Sequence, residues 1–273
     1  MKTLFSLAVL CAVTTQLVAG TVLEKTTTGT PDIARINVIS FAPEGVLLVG
    51  DGQNKHILAI ETGDVEPIAG EFKAVSDIQS EIGGRLGVPG ADVEILDFAV
   101  NPASNRAYFA LRKQDDKTYL ILRLSPANEM DLFSLENVKY ARIPLPAGEK
   151  AQVNTVTDVV WAGDRLVAAG RCSEEFASKI FAAEGPLEHD RPGQIYSAET
   201  FHVQHGRWET KAPMSVMIPF EEDGEHFIVG AFSCTPVVKY PIDAITPGAK
   251  IKGISMIELG SGTRPLDMFA YGD

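Results

Sequence analysis

The sequence predicts an all-β fold, a β-propeller of four-stranded blades, on two observations. The first is a repeated segment in which a small polar residue precedes an apolar run. It stands at Ser40-Phe41-Ala42-Pro43, Asp97-Phe98-Ala99-Val100, Asp158-Val159-Val160-Trp161, Ser215-Val216-Met217-Ile218 and Asp267-Met268-Phe269-Ala270, at intervals of 52 to 61 residues. A period near ~50 residues with several short strands per unit is a mark of blade repeats. The second is that each repeat continues as short apolar runs bounded by Gly, Pro, Asn and Asp, which is strand-and-turn chemistry. At 273 residues the chain has room for one large all-β domain over residues 21–273.

Residues 1–20 precede that domain and have the pattern of a secretory signal peptide. Met1-Lys2 is the positive start, Leu4 to Val13 the apolar core, and Val18-Ala19-Gly20 the small residues for cleavage. Cys11 follows Leu10, where a lipoprotein would carry a small residue, so the expectation is a soluble exported protein, periplasmic or extracellular, with no membrane span in the mature chain.

Blade one is expected to run from Ile39–Phe41 through the turn Pro43-Glu44-Gly45 to Val46–Val49, then through Asp51–Asn54 to His56–Thr62, with Val65–Phe72 outermost. Lys73 to Leu86 carries Val75, Ile78, Ile82 and Leu86 at helical spacing, with Ser76 as cap and Gly87 as stop, so a helical insert is expected near 74–87. Blade two is Leu96–Val100, Ala107–Arg112, Tyr119–Leu124 and Tyr140–Leu145. Blade three opens with Thr157–Trp161 and Leu166–Ala169, followed by a long polar insert, Cys172–Gly193. Blade four is Met214–Ile218, Phe227–Val229, Pro236–Tyr240 and Ile251–Ile257. A fifth blade is only partial. Either residues 21–36 supply an edge that closes a small ring, or the chain is a truncated form of a longer propeller. The second reading is favoured because the last strand lacks its turn and partner.

At 45% hydrophobic and 22% charged the composition is that of an ordinary globular chain, and a formal charge of −12 argues against nucleic acid and against a polybasic membrane dock. Export makes a disulfide chemically permissible, and Cys172 and Cys234 hold similar places in neighbouring blades, so either a bridge or two buried thiols is open.

The first strand of a blade runs beside the central channel, which would gather Asp97, Asp158 and Asp267 into one ring, with Ser40 and Ser215 at the matching places. Such carboxylates can hold a hard divalent cation such as Ca²⁺, and they can polarise a water. They can equally accept backbone N–H groups from the next blade and lock the ring. Arg264 is placed to clamp a carboxylate ligand or to pair with a channel aspartate. Glu174 and Glu175 lie in the polar insert, where loops carry function. His205 and His202 are three apart and would face opposite sides of a strand, meeting only if the chain turns at Gly206. The hydrolase elbow, the Walker loop and the dinucleotide fingerprint are absent from the sequence.

The run Phe41 to Asp51, followed by Asn54-Lys55-His56-Ile57, resembles a blade of the NHL and YVTN-type propellers. The wider chain is similar to uncharacterised bacterial exported propellers over Glu174–Ser178, His205–Thr210, Cys234–Lys239 and Arg264–Met268. That group implies architecture but no substrate, and its members continue past the point where this chain ends. Similar propellers include lactone hydrolases with a channel metal held by Glu, Asn and Asp.

The expectation is therefore a non-catalytic module that binds a protein or small ligand outside the cytoplasm. The alternative is a metal-assisted hydrolase of the lactonase type, with Asp97, Asp158 or Asp267 as metal ligands and Glu174 or Glu175 as base. A quinone-holding redox protein rests on fold analogy alone.

Overall fold

The computed structural model describes residues 21–146, 153–203, 205–233, 236–246, 249–260 and 262–270. Residues 1–20, expected to be a signal peptide, therefore lie outside the described residues, as does Cys234. Four mainly antiparallel sheets are arranged as a four-blade β-propeller. No helix among the described residues is long and apolar enough to cross a membrane.

Blade 1 runs Val38–Ala42, Val46–Asp51 and His56–Glu61 from the inside outward. Its second and third strands are almost wholly buried, because Leu48, Ile57 and Ala59 face one neighbour while Leu47, Val49, Leu58 and Ile60 face the other. A strand covered on both faces carries no polar alternation, which explains the unbroken Val46-Leu47-Leu48-Val49. The fourth strand is Val138–Pro144, and Thr27–Gly29 forms the outer edge.

That corrects two expectations. Tyr140–Leu145 does not complete blade 2; it pairs with blade 1, Tyr140 opposite Ile60 and Pro144 opposite His56. Ala141 and Ile143 are thereby buried in the cluster between blades 1 and 3. Val65–Phe72 leaves the sheet as irregular chain. It holds Pro67, which cannot donate to a ladder, and exposes Glu66 and Glu71.

Blade 2 is Val93–Val100, Ala107–Lys113, Tyr119–Leu124 and Met130–Phe133. The expected helix is Ile78–Leu86, capped by the Asp77 carboxylate on Ser80 N–H rather than by Ser76, and stopped by Gly87 in the left-handed region at φ 71°. It lays Ile78, Ile82 and Leu86 on Val93, Leu111 and Leu122 of blade 2.

Blade 3 is Val153–Ala162, Arg165–Cys172, Ser178–Glu184 and Gln194–Glu199. The stretch expected as a polar insert thus contains the third strand of this blade. Ile180 and Phe181 bury opposite faces of it in two different seams. Blade 4 is Met214–Glu222, Glu225–Phe232, Pro236–Pro241 and Ile254–Glu258.

The strand expected at Ile251–Ile257 divides at Gly253. Lys250–Lys252 joins the outer edge of blade 3 in parallel, and Ile254–Glu258 completes blade 4. A Cβ on Gly253 would lie 2.1 Å from Val238 Cγ1 and 2.7 Å from Tyr240 Cε1, both on buried side chains. Overpacking a tight site costs ~1–3 kcal/mol, and for a domain of this size each kcal/mol moves Tm by ~2–4 °C. Gly253→Ala is therefore expected to melt several degrees below the wild type in a thermal scan. An unchanged Tm would mean that the seam between blades 3 and 4 is loose.

Blade 1 sits between blades 2 and 3, and blade 4 packs on the far side of blade 3. One apolar cluster fills each of these three seams.

Candidate functional site

The inner strands converge on a channel of about 270 Å³, and Asp97, Asp158 and Asp267 all line it. Asp97 and Asp158 are held alike. Each follows a β-bulge in its inner strand and faces an alanine, Ala110 or Ala169, on the second strand. Asp97 accepts the N–H of Phe98 (2.9 Å) on one oxygen and that of Ile39, on blade 1, on the other (2.7 Å). Asp158 accepts the N–H of Val159 (2.7 Å) and that of Met217, on blade 4 (2.6 Å). These carboxylates are clamps across two of the three seams. Asp267 makes the local half of the same arrangement, accepting Met268 N–H at 2.7 Å.

The register also revises the serines. Ser40 lines the channel, whereas Ser215 lies within a bulge and pairs its hydroxyl with Ser233 at 2.7 Å. Val216 follows that bulge, opposite Ala231, and blade 4 lines the channel with Met217, Ile218 and Pro219 instead. Phe41, Phe98 and Trp161 give the channel aromatic walls, with Met217 and Met268 beside them. The sequence reading did not single these out. Their signal was there, as the apolar positions that follow each polar residue of the repeat.

Burial pushes the carboxyl of Asp97 up to about 6, against the pull of its two N–H donors, with the charge of Asp267 adding to the rise. The same balance takes Asp158 to about 7, with Asp97 and Asp267 both contributing. Both folded values lie above the unfolded carboxylate value of 3.8. The folded state therefore holds these protons more tightly. The stabilisation is full below the unfolded value and is lost as pH rises through about 6 to 7. His56 acts in the opposite sense, since burial holds its imidazole below 6.5. The two contributions separate by difference. Wild type is expected to gain stability relative to Asp158→Asn as pH falls from 8 to 5, measured as Tm in a buffer series. A constant difference between the two proteins would remove the assignment.

The remaining candidates lie elsewhere. Arg264 is exposed and outside the channel lining. Glu174 and Glu175 line a separate cavity with Arg171, Cys172 and Lys211, where Glu174 pairs with Lys179 at 2.7 Å. They are not brought to the channel aspartates. Cys172 is a buried free thiol whose pKa burial raises to about 11. His205 does meet His202, with ring centroids 4.1 Å apart. Gly206, at φ 60°, turns the chain between Phe201–His202 and Arg207–Trp208. His202 is buried, with Nε2 3.3 Å from Glu258 Oε2. Among the described residues no group of three or more His, Cys, Asp or Glu is spaced to hold a metal ion.

No family model matches the chain, and no curated protein matches it.

Proposed function

We propose that this propeller is an exported, non-catalytic binding module that takes a protein or small ligand at its ring face, over the mouth of the channel. The observation that carries the reading is how Asp97 and Asp158 are used. Both oxygens of each accept backbone N–H groups, and in each case one of those donors lies on a neighbouring blade. Carboxylates committed in this way hold a scaffold together and are poorly placed to ligate a metal or activate a water. The lactonase-type alternative also needs Glu174 or Glu175 beside the aspartates, and those residues line another cavity. The signal-peptide pattern of residues 1–20 supports export, with a mature chain beginning near Thr21.

The test is retention of a partner from the exported fraction of the source cells by immobilised protein, compared with Asp267→Ala. Asp267 is the channel carboxylate with an exposed side, so this change leaves both blade clamps in place. A partner held by wild type and lost from the variant supports the reading. Repeated absence of any partner, or lactone turnover that a chelator abolishes and Ca²⁺ restores, ends it.

A further inference from the structure

Residues 185–193, which join the third and fourth strands of blade 3, fold over a cavity of about 100 Å³ that shares no lining residue with the channel. This loop is tied along its length. Gly185 N–H donates to Asp164 O (2.8 Å), that of Leu187 to Val22 O (2.8 Å), that of Asp190 to Arg142 O (2.8 Å) and that of Gly193 to Pro144 O (3.1 Å). The cavity is therefore built in advance, and little loop ordering opposes a ligand that enters it.

Its lining divides by chemistry. Ile143, Leu187 and Ile245 are buried and form an apolar wall. The charged groups are Arg165, Glu184, Glu188 and Arg191. Two of them are already neutralised, because Glu188 pairs with Lys25 at 2.7 Å and with Arg191 at 3.4 Å. The other two are not. Arg165 and Glu184 stand directly opposite each other on the second and third strands of blade 3, a place where opposite charges stabilise a sheet by pairing. Arg165 instead turns its Nε to Asp164 Oδ1 at 2.9 Å. Among the described residues its terminal nitrogens have no hydrogen bond and Glu184 makes no ion pair. Both charges reach the phenol of Tyr196, which also lines the cavity. Burial raises its pKa, Arg165 draws it down and Glu184 adds to the rise. Its hydroxyl is engaged with Gln194 Oε1 at 2.5 Å. One uncommitted cation and one uncommitted anion thus sit a strand apart, beside an apolar wall.

We propose that this cavity binds a small free α-amino acid, with its carboxylate on the Arg165 guanidinium, its ammonium on Glu184 and its side chain against Leu187 and Ile245. The planar fork of an arginine matches a carboxylate bidentately. A simple anion would leave Glu184 without a partner, and a simple amine would leave Arg165 without one, so the zwitterion is the class that satisfies both. Size limits the choice further. At ~30 Å³ of liquid per water, the space takes about three waters or a molecule of similar bulk, which excludes a large side chain. The site does not depend on the ring-face reading above.

The probe is L-alanine, titrated into the full chain while the amide resonances of Ala182, Ala183 and Gln194 are followed. It is expected to shift them saturably with a Kd of ~0.1–1 mM, as befits a ligand of few atoms. Propionate lacks the ammonium and ethylamine lacks the carboxylate, so each is expected to bind at least ~10-fold more weakly, since one charge of the site stays unpaired. L-tryptophan is expected not to enter. Glu184→Gln, at an exposed strand end that leaves folding intact, is expected to weaken L-alanine ~10-fold and propionate not at all. Arg165→Lys loses the fork and is expected to weaken both. No saturable shift at ~20 mM L-alanine, well above the expected Kd, overturns the proposal. So does propionate or L-tryptophan binding as tightly as L-alanine, and so does L-alanine binding that Glu184→Gln leaves unchanged.

Discussion

Asp51→Ala is expected to lower the melting temperature by ~10 °C, because it strips four backbone donors of one shared acceptor. Asp51 ends the second strand of blade 1 with its side chain wholly buried. One oxygen accepts the N–H groups of Gln53 and Asn54, both at 3.0 Å, and so shapes the turn into the third strand. The other accepts those of Ala34 (2.8 Å) and Arg35 (3.2 Å), pinning the segment that enters the blade. Removing one side of a buried charged cluster costs ~3–5 kcal/mol, since the orphaned groups stay desolvated. Asp51→Asn is close to isosteric yet is expected to lose most of the same stability, because its amide nitrogen turns donors toward donors. Denaturant titration of both variants decides the matter. If Asp51→Asn matches wild type, the carboxylate charge is irrelevant and the turn is held by shape alone.

The parts of this fold that were legible in the sequence are those written in local chemistry. The repeat at Ser40, Asp97 and Asp158 marks inner strands because a channel-facing polar residue and the apolar run after it sit next to each other in the chain. The convergence of Asp97, Asp158 and Asp267 follows from that repeat and is seen at the channel. The helix was legible from the spacing of Ile78, Ile82 and Leu86, although its cap fell one residue later, on Asp77. What was not legible is pairing at long range. Val138–Pro144 has the pattern of a strand, but nothing in its residues says that it closes blade 1 across the whole of blade 2. A bulge shifts register by one residue without any sequence mark, and the one between Met214 and Val216 takes Ser215 out of the channel lining. Ser178–Glu184 was hidden for a related reason. The acidic turn before it drew attention as a polar insert, while its own lysine, Lys179, is buried by pairing with Glu174. Aspartates in turns look alike in sequence, so Asp51 and Asp64 gave no sign that they hold the scaffold.

Asp64→Ala is expected to destabilise by a similar ~3–5 kcal/mol, with the damage centred on the seam between blades 1 and 2. The residue follows the left-handed Gly63 as the chain leaves blade 1, and it is buried against the first hairpin of blade 2. Its carboxylate accepts the Ser104 hydroxyl and the Tyr108 hydroxyl, each at 2.9 Å, and pairs with the Arg106 guanidinium. Its carbonyl accepts the Asn101 side-chain amide at 2.7 Å. Three side chains of one hairpin thus converge on a single acidic group from the neighbouring blade. Burial, with this carboxylate beside it, pushes the Tyr108 phenol up to about 12. The ring of that same tyrosine packs edge-on against Phe41 of blade 1 at 4.9 Å, so the polar lock and the apolar seam share a residue. Tyr108→Phe keeps the ring and loses only the hydroxyl, for ~1 kcal/mol. In Asp64→Ala the hydroxyl keeps only its interaction with the Arg123 side chain, so Tyr108→Phe is expected to cost less there than in the wild type. The double-mutant cycle should then give a coupling of ~0.5–3 kcal/mol. Strict additivity of the two changes would mean that Tyr108 and Asp64 act independently, and that the seam is held by its apolar cluster alone.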